Sequence, residues 1–283
     1  MNPNPLISIC IPIYNAVEFI EETIDCFINQ TYQNWELILQ DDCSTDSTWE
    51  LLNEKYDHNP KIKIYQNNIN LGIGKNWNQA YDKATGEYVV IFNADDLVVD
   101  DFLARGISYL NKYENIDFVI NSFLKSNEVK TAELEATIHA YQSITQDLIN
   151  IKQRPFYRFS WNYTLAKKTS LDSLKNEFGL FYPTQVCDAM LWYEAYRHDL
   201  TAYYTGEIIG TYRMHENNNS KIPLGEFEST LLWLIPKYAE LFKLKIKAKW
   251  HSGIILLIKY IYACLKHKKA PKIHAVRNII KYV

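Results

Sequence analysis

Through about residue 121, short apolar runs alternate with stretches whose apolar residues recur at helical spacing. Leu6–Ile11 is apolar and stops at Pro12, which predicts a buried strand. Val17–Ile28 places Phe19, Ile20, Ile24, Phe27 and Ile28 on one side of a helix. Trp35–Leu39 predicts a second strand, and Ser44 or Asp46 is placed to cap a helix over Thr48–Tyr56. Lys61–Tyr65 alternates as a third strand, and Ile73–Lys83 is helical until Gly86 breaks the pattern. Tyr88–Phe92 predicts a fourth buried strand, Leu103–Tyr113 a helix and Asp117–Ile120 a strand. Strands that alternate with helices predict an α/β fold with a mostly parallel central sheet and helices on both faces.

Residues 122–168 are less regular. Beyond them Ala189–Tyr196 predicts a helix, Ala202–Tyr204 and Ile208–Tyr212 predict two short strands, and 227–283 reads as helical. The pattern sets a body over 1–222 apart from a C-terminal helical extension over 223–283.

Open α/β sheets bind ligands at the carboxyl ends of their strands. The four predicted strands end in Pro12-Ile13-Tyr14-Asn15, in Gln40-Asp41-Asp42-Cys43-Ser44-Thr45-Asp46, in Asn67 to Gly72, and in Asn93-Ala94-Asp95-Asp96. Every end is polar and two carry paired acids. Adjacent carboxylates repel unless a cation or hydrogen-bond donors compensate them. Hard divalent metals take such oxygen ligands and share their coordination with substrate phosphates, so Asp95 and Asp96 are candidates to hold a metal–diphosphate. A helix cap is the plainer reading of the same Asp-Asp pair. A dinucleotide oxidoreductase is disfavoured, because the turn after the first strand, Ile13-Tyr14-Asn15-Ala16-Val17, has no glycine, and no Walker A sequence occurs.

The run SICIPIYNAVEFIEETIDCFINQTYQNWELILQDDCSTDST resembles the opening of family 2 glycosyltransferases, which have the GT-A fold. Asn70-Leu71-Gly72, Asn78, Ala84-Thr85-Gly86-Glu87-Tyr88 and Asn93-Ala94-Asp95-Asp96 continue the resemblance in order; it thins after residue 101 and returns at Asp188 and at Thr211–Ser220. It implies a GT-A domain over 1–222, with a nucleotide-sugar half over 1–101 and an acceptor half over 102–222, and inverting transfer of a sugar from a nucleotide-sugar donor, a UDP-sugar by preference, to a hydroxyl of a glycan acceptor, lipid-linked and of the bacterial surface type. Pro12, Tyr14, Asn15, Asp42, Asn70, Gly72, Asn78, Asn93, Ala94, Asp95 and Arg213 are then the expected donor-binding residues, with Tyr14 by the base and Asp42 on the uracil. Asp95, Asp96 and His215 are the expected ligands of Mn2+ or Mg2+, and Asp188 is the expected general base. Asn93 stands where the family has an acid, which leaves a nucleotide-sugar-binding scaffold without turnover as the alternative function. Read as bare residues, Asp188 suits a helix N-cap, Arg213 a salt bridge and His215 a surface position. Trp161, Tyr163, Trp192 and Tyr193 suit core packing or stacking on an acceptor sugar.

Composition adds little, with one exception. At 283 residues, 47% hydrophobic and 22% charged, the chain is ordinary for a globular protein. Five scattered cysteines without a C-x-x-C pair favour a reducing compartment over a zinc site or a disulfide framework. The exception is charge. Residues 243–283 hold eleven of the 30 basic residues and none of the 33 acidic ones. Such a tail suits a solvated helical face, an anionic membrane surface or a docking partner, with the membrane favoured; a nucleic-acid partner is not expected, because no recognition module accompanies the charge. MNPNPLISICIPIYN has neither the basic nor the apolar region of a signal peptide, and 254–265 is too short to span a bilayer. The expected location is cytoplasmic, peripheral at the inner face of the cell membrane.

Overall fold

The computed structural model describes residues 4–113, 115–126, 147–150, 160–183, 187–216 and 218. The helical prediction for 227–283 and the basic tail at 243–283 lie outside them. The chain divides into two compact units, Met1–Pro183 with Cys187–Asn217 and Thr184–Val186 with Asn218–Val283. Every element below belongs to the first.

The strands are β1 (Ile7–Ile13), β2 (Trp35–Asp41), β3 (Ile62–Gln66), β4 (Tyr88–Ile91), β5 (Leu97–Val98), β6 (Phe118–Ser126), β7 (Asp147–Asn150), β8 (Thr164–Lys167) and β9 (Thr201–Arg213). The helices are α1 (Ile20–Ile28), α2 (Thr48–Tyr56), α3 (Ile73–Tyr81), α4 (Phe102–Lys112), α5 (Lys168–Asp172) and α6 (Cys187–Arg197), with a 3-10 turn at Trp161–Tyr163. The strands form one sheet in the order β3-β2-β1-β4-β8-β6-β9-β5, with β7 paired to β9.

The β3-β2-β1-β4 half is parallel, as the βαβ alternation requires. Antiparallel pairing enters with β8, which joins β4 to β6, while β6 and β9 run parallel. The two short strands expected at 202–212 are one long strand, β9. Gly206, at φ 68°, falls between the two predicted runs, and the pairing of β6 with β9 shifts register beside it. α1 starts at Ile20 rather than Val17; residues 17–19 form a turn in which Phe19 N–H and Ile20 N–H both donate to Ala16 O, at 2.9 and 3.0 Å.

Alternation along β1 sorts the core into two layers. Ile7, Ile9, Ile11 and Ile13 share a cluster with Ile20, Ile24 and Phe27 of α1, Leu52 and Tyr56 of α2, and Phe102 and Leu103 of α4. Cys10 points the other way, towards α3, where its thiol donates to Ala80 O at 3.6 Å. Helices therefore cover both faces. Trp161 and Trp192 stack at 4.1 Å and both meet Phe118 edge-on, so these two aromatics are core residues and not a sugar platform. Tyr163 is also fully buried, stacked on Phe123 and edge-on to Phe92.

The amino ends of β1 and β2 are joined by a buried acid. Glu36 accepts Ser8 Oγ at 2.6 Å, Thr85 N–H at 2.8 Å and Thr85 Oγ1 at 2.7 Å, and pairs with Lys63 at 2.7 Å. Burial pushes its carboxyl up, but Lys63 and the Ser8 and Thr85 donors outweigh burial and hold it at about 2. Gly86 passes so close to this knot that a Cβ there would sit 2.5 Å from Leu6 O.

Candidate active site at the carboxyl ends of the strands

Parallel pairing brings the polar ends of β1, β2 and β3 side by side. Pro12 still pairs with Gln40 of β2, but lies beyond Cys10, the last β1 residue paired to β4, so its missing N–H breaks no bond on that side. The chain then turns through Tyr14, which is 48% exposed, and Asn15, at φ 49°. Asn15 N–H donates to Ser44 Oγ at 2.9 Å, and Asn15 Oδ1 accepts Thr45 N–H at 2.8 Å. Asp46 accepts Thr48 N–H at 3.0 Å, which fills the capping role expected of it although Ser47 is the cap position. The β1 and β2 turns are thus latched together before any ligand arrives.

Asp42 is 2% exposed. Its Oδ1 accepts Asn67 Nδ2 at 2.7 Å and Leu71 N–H at 2.8 Å, and its Oδ2 accepts Gly72 N–H at 2.9 Å. A carboxylate offers about four acceptor positions, so three are taken by the protein itself. Asp42 therefore shapes the 70–72 loop, and what it offers a ligand comes through that shape and one remaining oxygen position. Asn70 Oδ1 also accepts Gly72 N–H, at 3.1 Å. Gly72 has φ 80°, a left-handed conformation that glycine adopts without strain. Asn67 continues to Asn76 Oδ1 at 2.9 Å, and Asn76 Nδ2 reaches Gln40 O at 3.1 Å. Sequence reasoning missed Asn76; the signal was a polar residue between the buried positions Gly74 and Asn78 of α3.

The end of β4 separates two adjacent acids. Asp95 Oδ2 meets His215 Nε2 at 3.0 Å, with the two side chains 25% and 19% exposed, and the His215 ring stacks on Phe19 at 4.4 Å. Asp96 is fully buried. Its Oδ1 accepts Arg213 N–H at 3.0 Å, and its Oδ2 accepts Asn93 Nδ2 at 3.2 Å and a further bond from Asn162 Nδ2. Burial, then the neighbouring Asp95 charge, pushes the Asp96 carboxyl well above the usual carboxylate range.

Three of the expected site residues make contacts within the protein. Asp96 was expected on a metal; it is enclosed by three donors and ties β4, β9 and the 3-10 turn together. Asn93 was expected on the donor; its amide donates to Asp96. Arg213 was expected over the diphosphate; its guanidinium lies against α1, where it donates to Phe19 O at 3.0 Å and Thr23 Oγ1 at 3.2 Å, pairs with Glu22, and also donates to Asp95 O. The ion pair of Arg213 with Glu22 is the salt bridge that its bare-residue reading names. Thr23 Oγ1 binds Ala94 O at 3.1 Å, which fixes Ala94 against the same helix.

Asn78 is the fourth. Its Nδ2 donates to Phe178 O and Phe181 O, both at 2.8 Å, and its Oδ1 accepts Phe181 N–H at 2.8 Å. The amide is thus turned to the 178–181 loop and away from the strand ends. Asp188 lies in the first turn of α6, partly exposed, and its backbone carbonyl accepts Trp161 Nε1 at 3.0 Å. The next residue along, Asn162, binds Asp96, so two consecutive residues link the Asp96 hub to the start of α6. Nothing in the sequence pattern singled out Asn162.

Among the described residues, no cluster of three or more His, Cys, Asp or Glu side chains forms an all-protein metal cage. A carboxylate oxygen facing an imidazole nitrogen is nonetheless a fitting partial donor set for Mn2+, whereas Mg2+ prefers the carboxylate oxygen alone. Such ions keep several positions for water and phosphate and need only one or two protein ligands at a nucleotide site. Among the described residues, no helix is long and apolar enough to cross a membrane.

Comparison with known proteins gives the family of the chain. TuaG of Bacillus subtilis, a putative teichuronic acid biosynthesis glycosyltransferase, is 26% identical over 258 residues, covering 88% of this chain and 94% of its own. WfaP of Escherichia coli, a UDP-Glc:alpha-D-GlcNAc-diphosphoundecaprenol beta-1,3-glucosyltransferase, is 34% identical over 131 residues, covering 43% of this chain and 51% of its own. The crystal structure of S. aureus TarS 1-349 in complex with UDP-GlcNAc superposes with a TM-score of 0.68 at 18% identity, covering 98% of this chain and 79% of that one; this likeness is one of fold. Residues 8–173 match the family described as Glycosyl transferase family 2. That match spans more than half the chain, and the chain belongs to this family: it is a glycosyltransferase.

Proposed function

We propose that this chain transfers a sugar from a UDP-sugar to a hydroxyl of a glycan acceptor of the bacterial surface, with inversion at the anomeric carbon. The observation that carries the reading is the Asp95–His215 pair at the end of β4, on the same sheet edge as the Asp42-shaped loop. The donor set of WfaP and the ligand of TarS support UDP as the nucleotide.

Asp95 and His215 would hold the divalent cation, which supplies positive charge to the departing diphosphate when bound. Asp42, through Leu71 and Gly72 N–H, fixes the loop that receives the base. The exposed Tyr14 ring offers that base a face to pack on. Asp188 takes the proton of the acceptor hydroxyl. As the hydroxyl oxygen bonds to the anomeric carbon, the bond from that carbon to the β-phosphate oxygen breaks, and UDP departs with the electron pair. Attack opposite the leaving group inverts the centre, and positive charge develops on the sugar as in glycoside hydrolysis.

Calorimetry of UDP with and without Mn2+ tests the donor site. Binding that strengthens with Mn2+ supports the reading. Failure to bind UDP at all, with GDP or another nucleoside diphosphate bound instead, overturns the choice of nucleotide. The basic residues of 243–283 are proposed to hold the protein at an anionic membrane, where a lipid-linked acceptor resides; co-sedimentation with phosphatidylglycerol vesicles, lost in 0.5 M salt by the order of magnitude at which such attraction is screened, tests this.

A further inference from the structure

Two residues one turn apart on α3 grip the same distant segment. Gly74 packs so tightly that a Cβ there would lie 1.9 Å from Tyr182 O. Asn78 closes three hydrogen bonds on the backbone of Phe178 and Phe181. It also meets Gly179, which at φ 98° brings its backbone against the Asn78 amide; a Cβ there would sit 2.8 Å from Asn78 Oδ1. Trp77 adds an edge-on contact to Phe181 at 5.1 Å.

The gripped segment is exposed at Phe178 and buried from Leu180 to Tyr182, which are 1%, 0% and 4% exposed. It is tied in turn to α6. Tyr182 Oη donates to Glu194 Oε1 at 2.6 Å, and both side chains are buried. α6 is the helix whose first turn carries Asp188.

We infer that Asn78 is a positioning residue for catalysis, which sets the place of the Asp188 helix through residues 178–182 and touches neither donor nor metal. The inference rests on the assignment of Asp188 as the base. Removing the Asn78 amide leaves Phe181 N–H and Phe181 O unpaired inside the protein, takes the donor from Phe178 O and frees the segment that holds α6. A misplacement on the order of 1 Å costs about 10²-fold in rate when it separates a base from its substrate.

The test uses the full-length protein and three variants, Asn78→Ala, Tyr182→Phe and Asp188→Asn. Amide hydrogen exchange is followed over 187–197, UDP affinity by calorimetry, and kcat and KM by UDP release from a panel of UDP-sugars. Asn78→Ala is expected to speed exchange in 187–197, lower kcat by about 10²-fold and leave donor KM and UDP affinity unchanged. Tyr182→Phe keeps the ring and removes one bond, so it gives the same pattern more weakly and covers the case in which Asn78→Ala does not fold. Weakened UDP binding with unaltered exchange over 187–197 would overturn the inference and make Asn78 a donor ligand. Asp188→Asn judges the base assignment separately: wild-type turnover in that variant sinks the base, while the exchange result still decides whether Asn78 holds α6.

Discussion

Asp95 Oδ2 and His215 Nε2 stand 3.0 Å apart, although 120 residues separate them in the chain. The pairing is built by Asp96, whose buried carboxylate holds the backbone of Arg213 two residues before His215. The two neighbouring acids therefore divide their work, one facing the imidazole and one facing the protein. Asp95→Asn and His215→Ala should each lower UDP affinity in the presence of Mn2+ by about tenfold or more, the scale of one charge-assisted contact. Asp96→Asn should keep the Mn2+ response and lose thermal stability instead. Calorimetry and melting curves on the three variants separate these outcomes, and loss of the Mn2+ response in Asp96→Asn would return that residue to the metal.

Asp42→Ala strips three donors of their acceptor at once. Because the Leu71 and Gly72 amides reach water when the loop opens, the stability cost stays at about 1–3 kcal/mol. UDP affinity should fall by more than that implies, since the loop loses its shape as well as its contact. Denaturant titration and UDP calorimetry measure the two effects. An Asp42→Ala protein of normal UDP affinity would show that the loop does not receive the nucleotide.

Asp188→Asn should lower transfer by roughly 10²–10⁴, the range for loss of a general base, while UDP binding persists. The amide keeps the size of the side chain and cannot accept the acceptor's proton. UDP release from a UDP-sugar, followed beside UDP affinity, checks both halves.

Glu36 gives the fold a dependence on acid. Its folded value near 2 lies below the ordinary 4.5, so the unfolded chain binds the proton more readily. The associated stability, on the order of 3 kcal/mol, is fully present above pH 4.5 and is lost as the pH falls through about 2. Glu36→Gln should flatten this part of the stability curve. Equilibrium unfolding between pH 2 and 6 on both proteins measures it, and parallel curves for the two would remove Glu36 as the source.

Where the chain repeats one physical rule, its sequence was easy to read. β1, β2, α2, β3, α3 and β4 follow from apolar period and turn residues, and α2 spans Thr48–Tyr56 as predicted. β8 and the Trp161–Tyr163 turn were not legible, because four residues carry no period and their pairing partners, β4 and β6, lie far away in sequence. The acids at the strand ends could be identified, but their partners could not. Asp95 and Asp96 look alike in the sequence and differ only in which distant groups, His215 or Asn162, fold against them. Arg213 shows the same limit from the other side, since its contacts with Phe19, Glu22 and Thr23 depend on where β9 ends relative to α1.

The knot of Glu36, Ser8, Thr85 and Lys63 sits at the amino ends of β1 and β2, a strand's length from Asp42 and Asn15. Mutational drift in the turns after the strands thus proceeds without loosening the joint that holds those strands in register. A laboratory library confined to Tyr14, Asn68 and Ile69, whose side chains take no part in the latch of Asn15 with Ser44 and Thr45, should recover folded members at high frequency, all inheriting the same sheet.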